Sequence, residues 1–150
     1  MGATHRRLAA TLAAAWEAEV TAAQRMTALA EQVPAPGPRA RLLVQAAFCR
    51  AHASRLLARL STQGRGPLPV PPVQPEPTQG ALEAILLESR LAQDAASRYG
   101  AAARAARSQG DLSSAWVCEL NGTEEADRAA ELRALARDVQ QADLPGAFAV

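Results

Sequence analysis

The sequence predicts an all-α fold, an antiparallel four-helix bundle made of two helical hairpins joined by a long proline-rich crossover. Three observations predict it. Hydrophobic residues make up 49% of the 150-residue chain but aromatics only 3%, so the core must be built from Leu, Ala and Val packed closely between helices, a composition that suits helix better than sheet. Apolar residues recur at helical spacing along four long stretches. Between the second and third of these lie six prolines, Pro67, Pro69, Pro71, Pro72, Pro75 and Pro77, a segment that neither a helix nor a central strand can accommodate.

The first helix is expected over residues 4–32, where Leu8, Leu12, Ala15, Val20, Ala23, Met26, Ala30 and Val33 fall on one stripe with no interior Gly or Pro. The run Pro34, Ala35, Pro36, Gly37, Pro38 ends it, because proline lacks the helical donor and restricts its predecessor. Pro38 is expected to open a second helix over residues 39–62, with Leu42, Gln45, Cys49, His52 and Leu56 along its seam. So short a break implies an antiparallel hairpin. The third helix, residues 81–108, carries Ala84, Ile85, Glu88, Leu91, Ala92, Ala95, Tyr99, Ala102 and Ala106 on its stripe and stops at Gly110. Asp111 or Ser113 can cap a fourth, residues 112–141, whose seam reads Cys118, Asn121, Glu125, Arg128, Leu132, Leu135, Val139. Gly122 predicts a local irregularity there. Trp16 and Trp116 stand at comparable places in the two hairpins and are expected to cap the core.

The linker, residues 64–80, decides the topology. In polyproline conformation about 15 residues reach roughly 45 Å, whereas a 24-residue helix is about 36 Å long. The linker can therefore run the length of the bundle and start the third helix at the opposite end from where the second stopped. The alternative is a plain flexible connection between two hairpins. Residues 143–150 form a tail, with Leu144, Pro145, Phe148 and Val150 as an apolar peptide that could dock into a protein partner's groove. One domain over residues 1–150 is expected.

Several function classes are excluded or disfavoured by charge and composition. The 16 basic residues, all of them Arg, nearly cancel 15 acidic ones, so the basic field that holds nucleic acid is missing. Every hydrophobic stretch is interrupted by charge well short of the roughly 20 residues that span a bilayer, so no membrane association is expected. The N-terminal His5, Arg6 and Arg7 before a Leu/Ala run faintly resemble a secretion signal, but the run leads into Glu17 and Glu19 in helical phase and is read as helix. Two cysteines, Cys49 and Cys118, make no disulfide framework and suit a reducing, cytoplasmic setting. An alanine-rich, aromatic-poor chain has little bulk to complete a core, which suggests self-association, most simply as a homodimer.

Polar residues on apolar seams are the informative feature, because burying an unpaired charge is costly. Glu19 lies on the first stripe, Cys49 and His52 on the second, Glu88 on the third, Glu125 and Arg128 on the fourth. Cys49 with His52 and Glu125 with Arg128 are i, i+3 pairs that project from one helical face.

This arrangement resembles the ferritin-like, rubrerythrin-like superfamily. The resemblance rests on the segment from Gln93 to Leu132, with Tyr99, the break at Gly110-Asp111 and the acidic Glu124-Glu125, and on the stretch from Ala46 to Leu60 as its partner repeat. It implies two hairpins that each contribute a Glu from one helix and a Glu-x-x-His from the next to a di-iron centre. The motif is eroded: Cys49 stands where the first Glu-x-x-His has Glu, while His52 matches. Glu125 matches in the second, but Arg128 replaces His. Glu19 precedes Cys49 by the 30 residues that also separate Ala95 from Glu125, and Asp94 sits beside Ala95.

Candidate metal ligands are thus Glu19, Cys49, His52, Asp94 and Glu125. Such a set is short of the carboxylates that a di-iron site needs, and an Arg cannot ligate metal. Arg128 can instead supply the missing positive charge by a buried ion pair with Glu125 or Glu19. The resemblance therefore implies a non-catalytic scaffold or interaction protein with a degenerate site and no cofactor. The alternative is a ferritin-like protein that binds iron or zinc and retains redox or iron-handling activity.

Overall fold

The computed structural model describes residues 2–73 and 80–142. They form four helices: α1 (Ala3–Gln32), α2 (Pro36–Thr62), α3 (Ala81–Ser108) and α4 (Leu112–Ala142). The tail at 143–150, and with it the expected partner peptide, lies outside the described residues. The second helix begins at Pro36 rather than after Pro38. A proline in the first helical turn forfeits only an N–H that has no intrahelical partner, so both prolines fit there.

Each hairpin is antiparallel. At one end Leu8, Leu12 and Trp16 of α1 pack with Leu56 and Leu60 of α2 and with Tyr99, Ala106 and Ala115 of the second hairpin. At the other end Met26, Ala30 and Val33 meet Leu42 of α2, Ile85 of α3 and Leu132 and Leu135 of α4. Each fully buried Leu or Ile contributes about 1.5–3 kcal/mol. Between the two apolar clusters lies a layer of buried polar side chains.

The hairpins meet along two seams, α2 against α4 and α1 against α3. Both seams are antiparallel. Arg59 pairs with Asp111, His52 with Glu125 and Arg41 with Asp138, while Glu19 meets Tyr99 and Arg25 meets Glu88. It follows that α2 and α3 point the same way, which requires the one-crossover topology. The described part of the linker fits that path: Leu68 packs on the first cluster, the Gln24 side chain donates to the Pro71 carbonyl (3.1 Å), and Ala81 and Leu82 pack on the second cluster.

Helix ends follow local chemistry. Gly110, at φ 75°, closes α3 by donating to the Arg107 carbonyl while Asp111 N–H donates to Ala106, the left-handed stop that glycine adopts without strain. Asp111 then caps α4: its carboxylate accepts from the Ser114 backbone N–H at 3.0 Å and from the Ser114 hydroxyl at 2.6 Å. Two expectations are corrected. α4 runs unbroken through Gly122; a Cβ there would sit 3.1 Å from Tyr99 Cβ, so glycine serves close α3–α4 approach. Trp116 is 61% exposed and caps nothing, whereas Trp16 is buried. Its neighbours Ala115 and Val117 take the inward positions of that turn.

Candidate metal centre

The polar layer gathers side chains from all four helices. Glu19 of α1, His52 of α2 and Glu125 of α4 are buried, and one ligating atom of each lies within 4.8 Å of the others. Their placement follows from helical phase: each occupies a seam position flanked by core residues a turn away, so its side chain points to the bundle axis.

His52 is held on both nitrogens. Nδ1 lies 3.0 Å from Glu125 Oε1 and 3.3 Å from Glu19 Oε1, and Nε2 lies 2.8 Å from Glu124 Oε2. With carboxylates on both sides the ring carries both protons and donates from each nitrogen. Burial works against that charge, but hydrogen bonds to Glu125 and Glu19 outweigh it and raise the His52 pKa to about 9. Arg55 braces Glu124 by a two-pronged contact (2.7 and 3.3 Å) and also donates to Asn121 Oδ1 at 3.0 Å. That guanidinium, with His52, holds the Glu124 carboxyl below its ordinary range.

Arg128 supplies the second positive charge. Its Nη1 donates to both Glu125 oxygens (2.8 and 2.7 Å) and its Nε to Gln45 Oε1 at 3.2 Å. Burial alone would raise the Glu125 carboxyl; the His52 hydrogen bond and the Arg128 charge hold it low instead. Glu19 is pushed the other way, chiefly by burial. Tyr99 donates to Glu19 Oε1 at 2.8 Å, and burial drives its phenol upward. Of the buried side-chain atoms without a hydrogen-bond partner among the described residues, two belong to this layer, Glu19 Oε2 and Arg128 Nη2; the others are the amide oxygens of Gln24, Gln63 and Gln109. Buried polar atoms of this kind are ordinarily satisfied by an ordered water or a bound ligand.

The expected ligands separate into two groups. Glu19, His52 and Glu125 come together as proposed from the sequence, and Arg128 pairs with Glu125. Asp94 is exposed and belongs to no ligand cluster among the described residues, because it sits on the flank of α3 rather than its stripe. Cys49 is buried beside the layer but outside the three-residue cluster. Burial raises its thiol well above the usual range, against the pull of the Arg128 charge, so in the cation-free chain the thiol stays protonated and is a poor nucleophile. Glu88 pairs with Arg25. The roles of Arg55 and Arg25 were not anticipated. Arg55 stands three residues after His52, the one spacing that could have drawn attention to it; Arg25 carried no such signal.

A single divalent cation fits this donor set. One imidazole nitrogen and two carboxylates from three helices, with an unsatisfied carboxylate oxygen, are reasonable ligands for zinc or iron. A second cation does not fit, since the Arg128 guanidinium already occupies that side of Glu125.

No family model and no curated protein matches the chain. Among solved structures, a protein of Xanthomonas campestris pv. campestris superposes with a TM-score of 0.81 at 20% identity, over 94% of this chain and 95% of that one. At that identity the likeness establishes a shared fold, the all-α four-helix bundle described above.

Proposed function

We propose that this protein is a ferritin-like bundle whose degenerate centre holds one divalent cation, iron or zinc, between Glu19, Glu125 and His52 Nδ1. Arg128 stands in for the second cation of a di-metal site. The observation that carries the reading is the convergence of three buried ligating atoms within 4.8 Å, next to a carboxylate oxygen without a partner. Bound there, the cation would supply Lewis acidity or, as iron, redox chemistry. The protein's own residues set the frame: Tyr99 orients Glu19, Arg128 orients Glu125, and Glu124 holds the far nitrogen of His52, as outer partners of metal ligands commonly do.

A second reading is favoured by the charges themselves. With His52 protonated, three positive groups (His52, Arg55, Arg128) face three carboxylates (Glu19, Glu124, Glu125), so the layer closes without a cation and the bundle could act as a scaffold. Elemental analysis of protein purified without a metal-affinity tag, after incubation with iron(II) or zinc and desalting, separates the two. About one metal per chain is expected, and its loss in Glu19→Gln. No retained metal overturns the first reading in favour of the scaffold, and two per chain overturns the role given to Arg128.

A further inference from the structure

We infer that the cleft between α1 and α3 is a binding site for a small monocarboxylate bearing an apolar chain, with its head group held by Arg128. The charge argument rests on the one-cation reading above. The cleft, about 420 Å³, is lined by Glu19, Glu125 and Arg128 at its base and by the Arg25–Glu88 pair on its wall. It exists because small side chains face each other across the seam, Ala14, Ala18 and Ala22 on α1 against Ala92 and Ala95 on α3.

Small residues alone make no site, but Arg128 adds an independent sign. Its side chain is 4% exposed, and one of its terminal nitrogens, Nη2, donates to nothing among the described residues. A buried guanidinium donor left unpaired is expensive; Arg128 lines this cleft as well as the groove beside Gln45 and Phe48, and an oxygen acceptor in the cleft is one way to satisfy it.

Charge selects an anion. When a divalent cation replaces the proton on His52 Nδ1, the cation, Arg55 and Arg128 outweigh Glu19, Glu124 and Glu125 by one positive charge; the Arg25–Glu88 pair is neutral in itself. A monoanion balances the layer, and a dianion such as phosphate overshoots it.

Shape selects an apolar chain. A second cavity of about 320 Å³ shares Ala18, Glu19, Ala95 and Arg98 with the first and continues along the seam past Leu12, Ala15 and Ala102. From Ala95 to Ala102 the α3 axis advances about 10 Å, room for a short alkyl chain. Both volumes lie in the usual range for small-molecule sites, about 300–1,000 Å³. At the rim the exposed Arg98 is balanced by the exposed Glu17, so the selecting charge is that of the buried base.

Titration calorimetry of the zinc-loaded full chain with octanoate, and with octanamide as its neutral counterpart, tests the inference. Octanoate is expected to bind at least about tenfold more tightly than octanamide, roughly 1.4 kcal/mol. Ala95→Phe, which places a ring in the space shared by the two cavities, should abolish octanoate binding while leaving the circular dichroism spectrum unchanged. Arg128→Gln should erase the preference for the acid. If zinc binds but octanoate gives no heat, or the amide binds equally well, the inference fails and the one-cation reading stands. If the chain takes up no zinc yet binds octanoate with the same dependence on Arg128 and Ala95, the cleft site is upheld and the one-cation reading fails. Neither ligand binding overturns both.

Discussion

Arg128 sits at 4% exposure with its charge spent on Glu125 and Gln45, so its removal strands a buried carboxylate. Arg128→Ala is expected to lower stability by about 3–5 kcal/mol, as breaking buried pairs does, read from denaturant unfolding. Arg128→His should cost less and raise metal uptake above one per chain, because it creates a Glu-x-x-His at Glu125. A change of only about 0.5 kcal/mol in both, the range of surface sites, would contradict the buried pairing. His52 makes a further prediction for the cation-free chain. Its pKa is raised to about 9, so its stabilising contribution is complete below the ordinary histidine value and is lost as pH rises through about 9. Unfolding midpoints in the presence of a chelator should therefore fall between pH 7 and pH 10. Saturating zinc should flatten that fall, since a coordinated imidazole has already given up the Nδ1 proton.

Individual helices are punctuated by residues whose cost can be measured. Asp111 links the α3 stop to the α4 start, accepting from Ser114 twice and from Arg59 at 3.4 Å. Asp111→Ala should cost about 1 kcal/mol as a lost cap. Burial opposes ionisation of Asp111, but the Ser114 hydrogen bonds and the Arg59 charge prevail and lower its pKa. That stabilisation is present above the ordinary Asp value and disappears as pH falls through the lowered one, so the mutant's deficit should shrink as the pH is taken below the ordinary Asp range. Gly122 marks a close α3–α4 approach. Replacing it with Leu forces a side chain against Tyr99 and the Ala96 carbonyl, and a loss of about 1–3 kcal/mol is expected from overpacking. Tyr99 also holds Glu19, so the same variant should weaken zinc binding in a competition titration.

Across the whole molecule, the two apolar clusters that join the hairpins are supplemented by polar pairs on one seam, with Arg41, His52, Arg55 and Arg59 of α2 each paired to α4. The crossover is what commits one chain to closing them, and its length is its function. α2, at 27 residues, is about 40 Å long. Deleting residues 66–73 leaves ten residues between the helices, at most about 33–36 Å when fully extended, short of the length of α2. The shortened chain is expected to exchange hairpins between two copies or to fail to fold. Light scattering should then give twice the parental mass or an aggregate, and an unchanged mass with unchanged stability would show that the linker takes a shorter path.

Much of this architecture could be read from the one-dimensional pattern, for a physical reason. A long helix with a single apolar stripe has only one way to bury it, so Leu12, Leu42, Ile85 and Leu132 declared their helices and faces, and the proline run declared the gap between hairpins. Polar residues on those stripes were equally legible, which is why Glu19, His52, Glu125 and Arg128 could be chosen in advance. Periodicity carries no information about how far one stripe stands from another. Only the packed bundle decided that Glu19 and Glu125 share His52 Nδ1 while Cys49 stays outside the cluster, that Asp94 turns to solvent and Trp116 outward, and that Arg55 reaches across to Glu124. Helical phase is a property of one segment, but a shared proton or a shared cation depends on distances between segments, and those are fixed by the interdigitation of side chains from four helices at once.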